Sequence, residues 1–524
     1  MILSVFGLTV LERQSAFGQL SYGHHEWLTA HALKFARTWW HEGASHLDFL
    51  MMETPQDLEH PNLESRSVYF SYPPGAALMP YAFAWLLRVE PSVRFLMSYN
   101  LATHLFVSLC LSVAVWLWLS FQIRAPRFLA AALSGVSYLL LPGPMYWQQN
   151  VYFTDTAVMA PLALLLGVVV VERKGTSAPS KFITGFAFAW GFATDWFFVS
   201  VALVFVAMQV FEFLIVSRSF ARLAARLAPL AVSATLVLGF YAWQLTRHEL
   251  WSKWKEKLAL RTYGTGDGAD LLSSNFNQVV WGTFSREQYG YVGNALVVLS
   301  VLFVVACVYA MARRLQQAEV WCVQRATFVA LAIVAPILHT YLFKNHSYLH
   351  DFSVLKFALP LSCIPFAILP AVIARRFGEP GRRLIPVVAL ILGLVYVAVL
   401  HRRYPGMVPP RNPEIAQMGY FVNRATAYDD VVFSSLVKAE PYPSEPHLLS
   451  HSLKLIHQVE GLEQLRGWVQ QLPAAANVVW FGSTESKEVP PGGESVWATA
   501  GRTSEGPLYL LRLPRDVFLK NVAN

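Results

Sequence analysis

The chain has 524 residues, of which 55% are hydrophobic and only 14% are charged. This balance is too apolar for a soluble protein, and it excludes disordered, fibrous and nucleic-acid-binding classes. The formal net charge of +8 suggests an anionic partner at first sight, but the basic residues collect in short loops between apolar runs, where they orient membrane helices. The composition therefore predicts a polytopic helical membrane protein. Its expected surroundings are membrane lipids, and no nucleic-acid partner is expected.

Eleven apolar runs are predicted to cross a bilayer, a passage that takes ~20 helical residues. The first and the fifth are shorter than this. The first has neither the charged flank nor the cleavage site of a signal peptide, so it is counted as a span. The eleven runs are 1–11, 97–121, 128–143, 156–171, 182–194, 196–216, 227–246, 291–311, 327–343, 353–373 and 384–400.

Five loops between these runs carry most of the arginine and lysine, and strict alternation places all five on one side. Because cytoplasmic loops are enriched in these residues, that side is predicted to be cytoplasmic. The N-terminus is then inside, and residues 12–96 and 401–524 are outside. Arginine-rich inner loops without targeting signals indicate a bacterial inner membrane. The five loops are those of Arg124, Lys174, Arg222, Arg313 and Arg383.

The long first outer loop, 12–96, contains a helical stretch at 27–43 and an apolar stretch at 75–88. If the apolar stretch crossed the membrane, the basic loops would face outward. It is therefore predicted to lie as a helix at the outer interface.

From residue 401 the composition becomes that of a soluble protein. Short apolar runs at 430–434, 477–482 and 507–512 are bounded by turn residues, with a helical pattern at 449–472. The predicted architecture is therefore an all-α membrane domain at 1–400, followed by a small extracytoplasmic α/β domain at 401–524.

Acidic and histidine side chains beside membrane spans are costly and are functional candidates by default. The notable ones all fall on the predicted outer face. Asp155 and Asp195 each follow threonine at the end of a span, where a helix-capping role is equally compatible with the sequence. The full set is His24, His25, Glu26, Asp155, Asp195, His346, His350 and Asp351.

Metal and disulfide chemistry have weak support in the sequence. Histidine and carboxylate groups are numerous enough to hold a divalent metal, but their spacing matches no metal signature, so no metal ligand is assigned and a divalent metal stays an open alternative. The four cysteines, Cys110, Cys307, Cys322 and Cys363, lie in apolar runs or at their ends and offer no disulfide framework.

The order of motifs resembles the GT-C fold of membrane glycosyltransferases that use lipid-linked sugars, such as protein O-mannosyltransferases and the aminoarabinose transferases of lipid A. A short first span precedes an acidic motif, an interfacial helix, the segment Tyr69–Gly75 with its Pro-Pro pair, and a later Thr-Asp at Asp155. Motif support extends from residue 1 to about 215.

The resemblance implies transfer of a sugar from a polyprenyl-phosphate donor to a glycan, lipid or protein acceptor. The family usually has Asp-Glu in the first loop, where this chain has His25-Glu26. Glu26 is therefore the expected base, with Asp155 as the second acidic motif. One base without a second nucleophilic carboxylate predicts inversion at the anomeric carbon.

The lysine that often precedes Pro-Pro in that family is Tyr72 here. A contact to the donor phosphate then needs another source, such as Lys344, Lys356 or Arg261. The remaining candidates for substrate binding are His25, Tyr69, Tyr72, Asp195, His346, His350 and Asp351.

Other functional classes also have polytopic chains with outer-face acids. A polysaccharide polymerase or ligase, a transporter of lipid-linked glycans, and a non-enzymatic scaffold are the alternatives. Many transporters contain an inverted repeat, and none is visible in this sequence. Polymerases and ligases usually have one large loop late in the chain, whereas the long loop here is the first one.

Overall fold

The computed structural model describes residues 1–18, 27–53, 62–119, 124–171, 178–263, 268–313, 320–407, 422–423, 425–434, 456–459, 461–483, 502–503 and 506–523. The chain forms two compact units. The first comprises Met1–Phe17, Phe70–Ala76 and Met97–Val408, and the second comprises Gly18–Tyr69, Ala77–Leu96 and Pro409–Asn524.

The α-helices of the described residues are numbered in chain order. They are α1 (Ile2–Glu12), α2 (Trp27–Glu42), α3 (Gly75–Leu87), α4 (Val93–Trp118), α5 (Arg124–Leu140), α6 (Pro142–Asn150), α7 (Thr154–Ala157), α8 (Met159–Val171), α9 (Ala178–Thr194), α10 (Phe197–Glu212), α11 (Phe220–Arg247), α12 (Trp251–Tyr263), α13 (Gly268–Gly282), α14 (Gly290–Arg313), α15 (Val320–Leu342), α16 (Lys344–Leu349), α17 (Ala358–Val395), α18 (Tyr404–Met407), α19 (Leu462–Gln471) and α20 (Arg515–Ala523).

Within the described ranges, seven helical stretches are long and apolar enough to cross a membrane. An eighth forms if α5 and α6, which bend by 59° where they meet, count as one span. The bend follows from Pro142, which opens α6 and cannot continue the hydrogen bonding of α5. The prediction of a multi-pass helical membrane protein is confirmed, and the number of eleven spans stays a prediction.

Two predicted spans are short as helices, since α1 has 11 residues and α9 covers the fifth predicted span with 17 residues. The predicted span 291–311 lies within α14, which has 24 residues. The apolar stretch predicted at 75–88 is the helix α3.

The second unit contains two sheets. A short one pairs β1 (Met51–Met52) with β2 (Val68–Tyr69) in antiparallel fashion. The larger one contains β3 (Val431–Ser434), β4 (Ile456–Gln458), β5 (Asn477–Ser483), β6 (Arg502–Thr503) and β7 (Gly506–Pro514). Its five strands lie in the order β4-β3-β5-β7-β6.

The five-stranded sheet is mixed, because β3 runs parallel to both β4 and β5 while β7 runs antiparallel to β5. Its core joins Phe433, Trp480 and Leu511 of the strands to Leu465 of α19 and Phe518 of α20. Strands occur at all three of the predicted strand positions, as expected for a small α/β fold.

The helix predicted at 449–472 is wrong at 456–458, and its residues 449–455 lie outside the described residues. Ile456–Gln458 forms β4, and the helix α19 begins only at Leu462. The pairing of Val432 with Ile456 across β3 and β4 explains the difference, because strand pairing overrides a local pattern in so short a segment.

In the same unit, residues of the first loop contact residues after 421. The Tyr428 hydroxyl donates to Glu42 Oε1 at 2.6 Å, and the Tyr428 ring stacks on His41 with 4.0 Å between ring centres. Arg66 donates to the same carboxylate of Glu42 through both terminal nitrogens. The 18–69 stretch and the C-terminal stretch therefore share one compact unit, which differs from the predicted division at residue 400.

Candidate active site

A buried ion pair lies where α7 begins in the first unit. The Lys356 ammonium donates to Oδ1 of Asp155, and Nε2 of His346 lies 3.5 Å from Oδ2. The side chains of Asp155 and Lys356 are only 2% and 1% exposed. Charges buried to this degree are rare unless they are paired, and they mark functional sites in membrane proteins.

Local chain geometry fixes the carboxylate. Phe153 is extended, and its N–H donates to the hydroxyl of Thr156 at 2.9 Å, which starts the helical turn. Thr154 and Asp155 therefore lie in the first turn of α7. The Thr154 hydroxyl donates to Asp155 Oδ2 at 3.4 Å. The sequence Phe-Thr-Asp-Thr thus directs the acid to the helix N-terminus, where negative charge is favoured.

The partner ammonium comes from a 3₁₀ helix at Asp351–Phe357. This helix is anchored at its first residue, where the backbone carbonyl of Asp351 accepts a hydrogen bond of 2.9 Å from Gln288 Nε2. The Lys356 ammonium also lies 5.5 Å from the centre of the Phe197 ring. The lysine stem is therefore enclosed, and its charge points to Asp155.

A second cation joins the cluster from α12. Arg261 Nη1 donates to the Tyr72 hydroxyl at 2.6 Å and lies 3.1 Å from Nδ1 of His346. The guanidinium carbon sits 4.5 Å from the centre of the Tyr72 ring, which is a cation–π distance. The Tyr72 hydroxyl in turn lies 3.4 Å from His346 Nδ1.

Burial lowers the pKa of His346 to about 4, although the neighbouring Asp155 opposes this. The ring is therefore neutral at pH 7. Since Nδ1 faces two donors, Arg261 and Tyr72, we assign Nδ1 as the acceptor and place the proton on Nε2, which faces Asp155. One ring thus connects the arginine side of the cluster to the carboxylate side.

The segment that carries Tyr72 is held from both sides. Trp196 Nε1 donates to the carbonyl of Ser71 at 2.8 Å, and the Tyr241 hydroxyl donates to the carbonyl of Phe70. At Gly75 a Cβ atom would lie 2.4 Å from the carbonyl oxygen of Ala193, so only glycine allows this close approach.

Asp195 has the capping role that its sequence position allowed, since its Oδ1 accepts a 2.7 Å hydrogen bond from the N–H of Phe197 at the start of α10. It also belongs to the cluster electrostatically. Burial raises the pKa of Asp195 to about 6; Lys356 opposes this rise, and Asp155 adds to it. The three charges therefore influence one another.

The remaining predicted residues of the last outer loop divide into two groups. His350 stacks on Phe352 with ring centres 5.0 Å apart, and its ring centre lies 4.5 Å from that of His346. Asp351 opens the 3₁₀ helix. Lys344 is exposed, with its ammonium 5.8 Å from the centre of the Phe276 ring. Of the three cations expected to contact the donor phosphate, Lys356 and Arg261 therefore lie in the cluster, and Lys344 does not.

Four predicted residues remain, three outside the described part of the chain and one in the second unit. His24, His25 and Glu26 lie outside the described residues. Tyr69 belongs to the second unit, where it forms the end of β2 and its ring centre lies 5.7 Å from that of Phe35.

His339 is a residue of the site that the sequence analysis missed. It is buried, and its ring centre lies 5.4 Å from Phe197 and 6.1 Å from His346. Its signal was present, because it is a histidine near the end of an apolar run.

The described part of the site does not fit a divalent metal. Across the described ranges, no three histidine, cysteine, aspartate or glutamate side chains converge as metal ligands. The carboxylate of Asp155 is already paired with an ammonium, and Arg261 adds a second cation beside His346. The two cations beside Asp155 and His346 therefore disfavour a metal ion at these two side chains.

No protein-family model and no curated protein sequence matches the chain. Among solved structures, it is similar to ArnT from Cupriavidus metallidurans bound to undecaprenyl phosphate, with 11% identity, 98% of this chain and 96% of that chain covered, and a TM-score of 0.46. It is also similar to the oligosaccharyltransferase AglB from Archaeoglobus fulgidus in complex with an inhibitory peptide and a dolichol-phosphate, with 10% identity, 91% and 69% covered, and a TM-score of 0.47.

A further structure of the Archaeoglobus oligosaccharyltransferase, in complex with Zn and sulfate, has 10% identity, 91% and 67% covered, and a TM-score of 0.48. These proteins are membrane glycosyltransferases of the class that the motifs resemble. With TM-scores below 0.5, the likeness carries no inference about ligands, which rests on the residues of the site.

Proposed function

We propose that the protein is an integral membrane glycosyltransferase that moves a sugar from a polyprenyl-phosphate donor to an acceptor at the outer membrane surface. The observation that carries this proposal is the buried cluster of Asp155, Lys356, His346, Tyr72 and Arg261. It brings two cations and a phenol together beside apolar helices, where a lipid-linked phosphate has to be held.

The chemistry of the donor explains why two cations are needed. When the bond between the sugar and the phosphate breaks, negative charge develops on the departing phosphate. Lys356 is a point charge, whereas Arg261 has five N–H donors, enough to hold Tyr72 and a phosphate oxygen at once. Burial strengthens both interactions, because little water screens them.

Asp155 is better suited to positioning than to proton abstraction. A carboxylate that is paired with an ammonium is a weak base, since protonation would break the pair. We therefore assign Asp155 to holding Lys356 and the Nε2–H of His346, and Glu26 to deprotonating the acceptor. With one base and direct displacement, the anomeric centre inverts.

The proposed location is the bacterial inner membrane, with residues 401–524 on the extracytoplasmic side. The agreement of five basic loops with the positive-inside rule supports this orientation. Acceptor and donor would then meet at the outer surface, where an undecaprenyl-type donor displays its sugar.

The function can be tested with the full chain in lipid nanodiscs and a panel of synthetic polyprenyl-phosphate sugars. Mass spectrometry then measures the released polyprenyl phosphate and the glycosylated envelope lipids or glycans. We expect turnover with at least one donor, and Glu26→Gln should lower turnover ~100-fold or more, the usual effect of losing a general base.

Arg261→Gln should chiefly raise KM for the donor, because it removes a phosphate contact and keeps a polar group. A matched control is Arg382→Gln, since Arg382 is an exposed arginine 42% accessible and paired with Glu379; its turnover should equal that of the wild type. Normal kinetics of Arg261→Gln and Lys356→Met would refute the phosphate-binding role of the cluster.

A further inference from the structure

A polar groove of about 380 Å³ opens in the first unit between α13 and α16. Six of the residues that line it carry hydrogen-bonding side chains. They are Asn275, Gln278, Thr283, Arg286, Glu287 and Tyr348.

One wall of the groove is a π-helix at Thr283–Gln288 that continues α13. Such helices have an extra residue per turn and often occur at functional sites. Arg403 fixes this one by donating to the backbone carbonyl of Arg286 at 2.8 Å. The backbone of this wall is therefore held in place by a side chain from outside the helix.

The same wall packs on the segment that carries the catalytic ammonium. The rings of Phe284 and Phe357 are 5.4 Å apart, and Gln288 Nε2 donates to the carbonyl of Asp351. The opposite wall contributes Tyr348 from α16, the short helix that also carries His346. Both walls of the groove are thus continuous with elements of the active-site cluster.

The lining has a specific chemical character. Side-chain amides and a threonine hydroxyl each provide donors and acceptors, as hydroxyl groups require. Arg286 and Glu287 leave the lining without net charge, and the acid disfavours a phosphate. Tyr348 adds an amphipathic ring that can cover an apolar sugar face. This combination suits neither an acyl chain nor an anionic headgroup.

We propose that this groove binds an uncharged saccharide unit of the acceptor and presents it to the cluster around Asp155. The proposal rests on the proposed glycosyltransferase function and specifies the acceptor class for it. It also separates the roles of the two sites, since cations hold the donor phosphate and neutral polar groups hold the acceptor sugar.

The test uses the full chain in nanodiscs on an array of immobilised neutral, sialylated and phosphorylated oligosaccharides. We expect preferential binding to neutral glycans, and the double variant Asn275→Ala/Gln278→Ala should weaken it ~10-fold or more, as expected for two lost hydrogen bonds. Asn277→Ala is the matched control. Asn277 lies between Asn275 and Gln278 on α13, accepts a hydrogen bond from Tyr341 and is not part of the groove lining. Binding of neutral glycans by Asn277→Ala should therefore stay within about twofold of wild type.

Preference for anionic glycans, or neutral binding that is the same in the double variant, would overturn the proposal. Release of polyprenyl phosphate from a lipid-linked sugar is measured in parallel. If polyprenyl phosphate is released but glycan binding does not depend on the groove, only the proposal for the groove is contradicted. If glycan binding depends on the groove but no polyprenyl phosphate is released, only the glycosyltransferase function is contradicted.

Discussion

Removal of the Lys356 ammonium tests how strongly the buried ion pair holds the site together. In Lys356→Met the apolar stem is largely retained, while the carboxylate of Asp155, only 2% exposed, loses its ion-pair partner. Breaking a buried pair from one side usually costs ~3–5 kcal/mol, because the remaining charge is not solvated. Thr154 and His346 stay near the carboxylate, so we expect a loss near ~3 kcal/mol, the lower end of that range.

The free energy of unfolding can be measured by titration with denaturing detergent from mixed micelles. The double variant Asp155→Asn/Lys356→Met removes both charges and should regain most of the stability lost in the single variant, as is found when a buried pair is replaced on both sides. Activity should not return, because the donor phosphate still lacks its lysine. Stability and turnover are thereby separated.

Arg382→Met is the matched control for an exposed pair. Arg382 and Glu379 lie 3.5 Å apart with side chains 42% and 54% accessible, and such pairs contribute ~0–1 kcal/mol. Wild-type stability of Lys356→Met, or a double variant less stable than Lys356→Met, would refute this account of the ion pair.

Three further predictions concern other parts of the chain. Because the pKa of Asp195 is about 6 in the fold against an ordinary value of 3.8, the folded chain binds this proton more tightly, so the contribution of Asp195 to the free energy of unfolding should fall as the pH rises from about 4 to about 6 and level off above. His346, whose pKa burial lowers to about 4, contributes the opposite slope over this range, so the effect of Asp195 is measured as the difference in unfolding free energy between wild type and Asp195→Asn in detergent titrations at each pH; a difference that does not change with pH would contradict the assignment. Gly75→Ala should cost ~1–3 kcal/mol of stability because its Cβ meets Ala193, while Gly239→Ala, with no atom within 4 Å, should be tolerated; equal stability of the two variants would argue against the close approach. A cysteine replacing Asp516, 65% exposed, should react with an impermeant thiol reagent from the outer side in a cysteine-free background, and labelling only after lysis would reverse the topology.

Local signals in the sequence were sufficient for the membrane helices and for the identity of several site residues. The length of an apolar run and the position of a proline are local features, so their effects on a helix could be predicted directly from the sequence. Asp155, Asp195 and His346 were identifiable because polar groups beside apolar runs need a reason to be there. Lys356 was named on other grounds, as one of three cations that could replace the family's lysine at Tyr72.

The contacts among these residues were not predictable from the sequence. Lys356 pairs with a carboxylate 201 positions earlier, and Tyr72 meets a histidine 274 positions later. No periodicity encodes such distances. The strand β4 was missed for the same reason, since its three residues become a strand through pairing with β3.

The contact between Glu42 and Tyr428 has a consequence for biosynthesis. The two residues are 386 positions apart, and at roughly 5–20 residues per second the ribosome needs on the order of 20–80 s to travel between them. During this time α2 has left the ribosome without its tyrosine partner, and Arg66 is the partner available to Glu42. Completion of the second unit therefore waits for the last part of the chain to emerge, and a nascent protein stalled before residue 428 retains an exposed, half-built surface for chaperones and proteases to recognise.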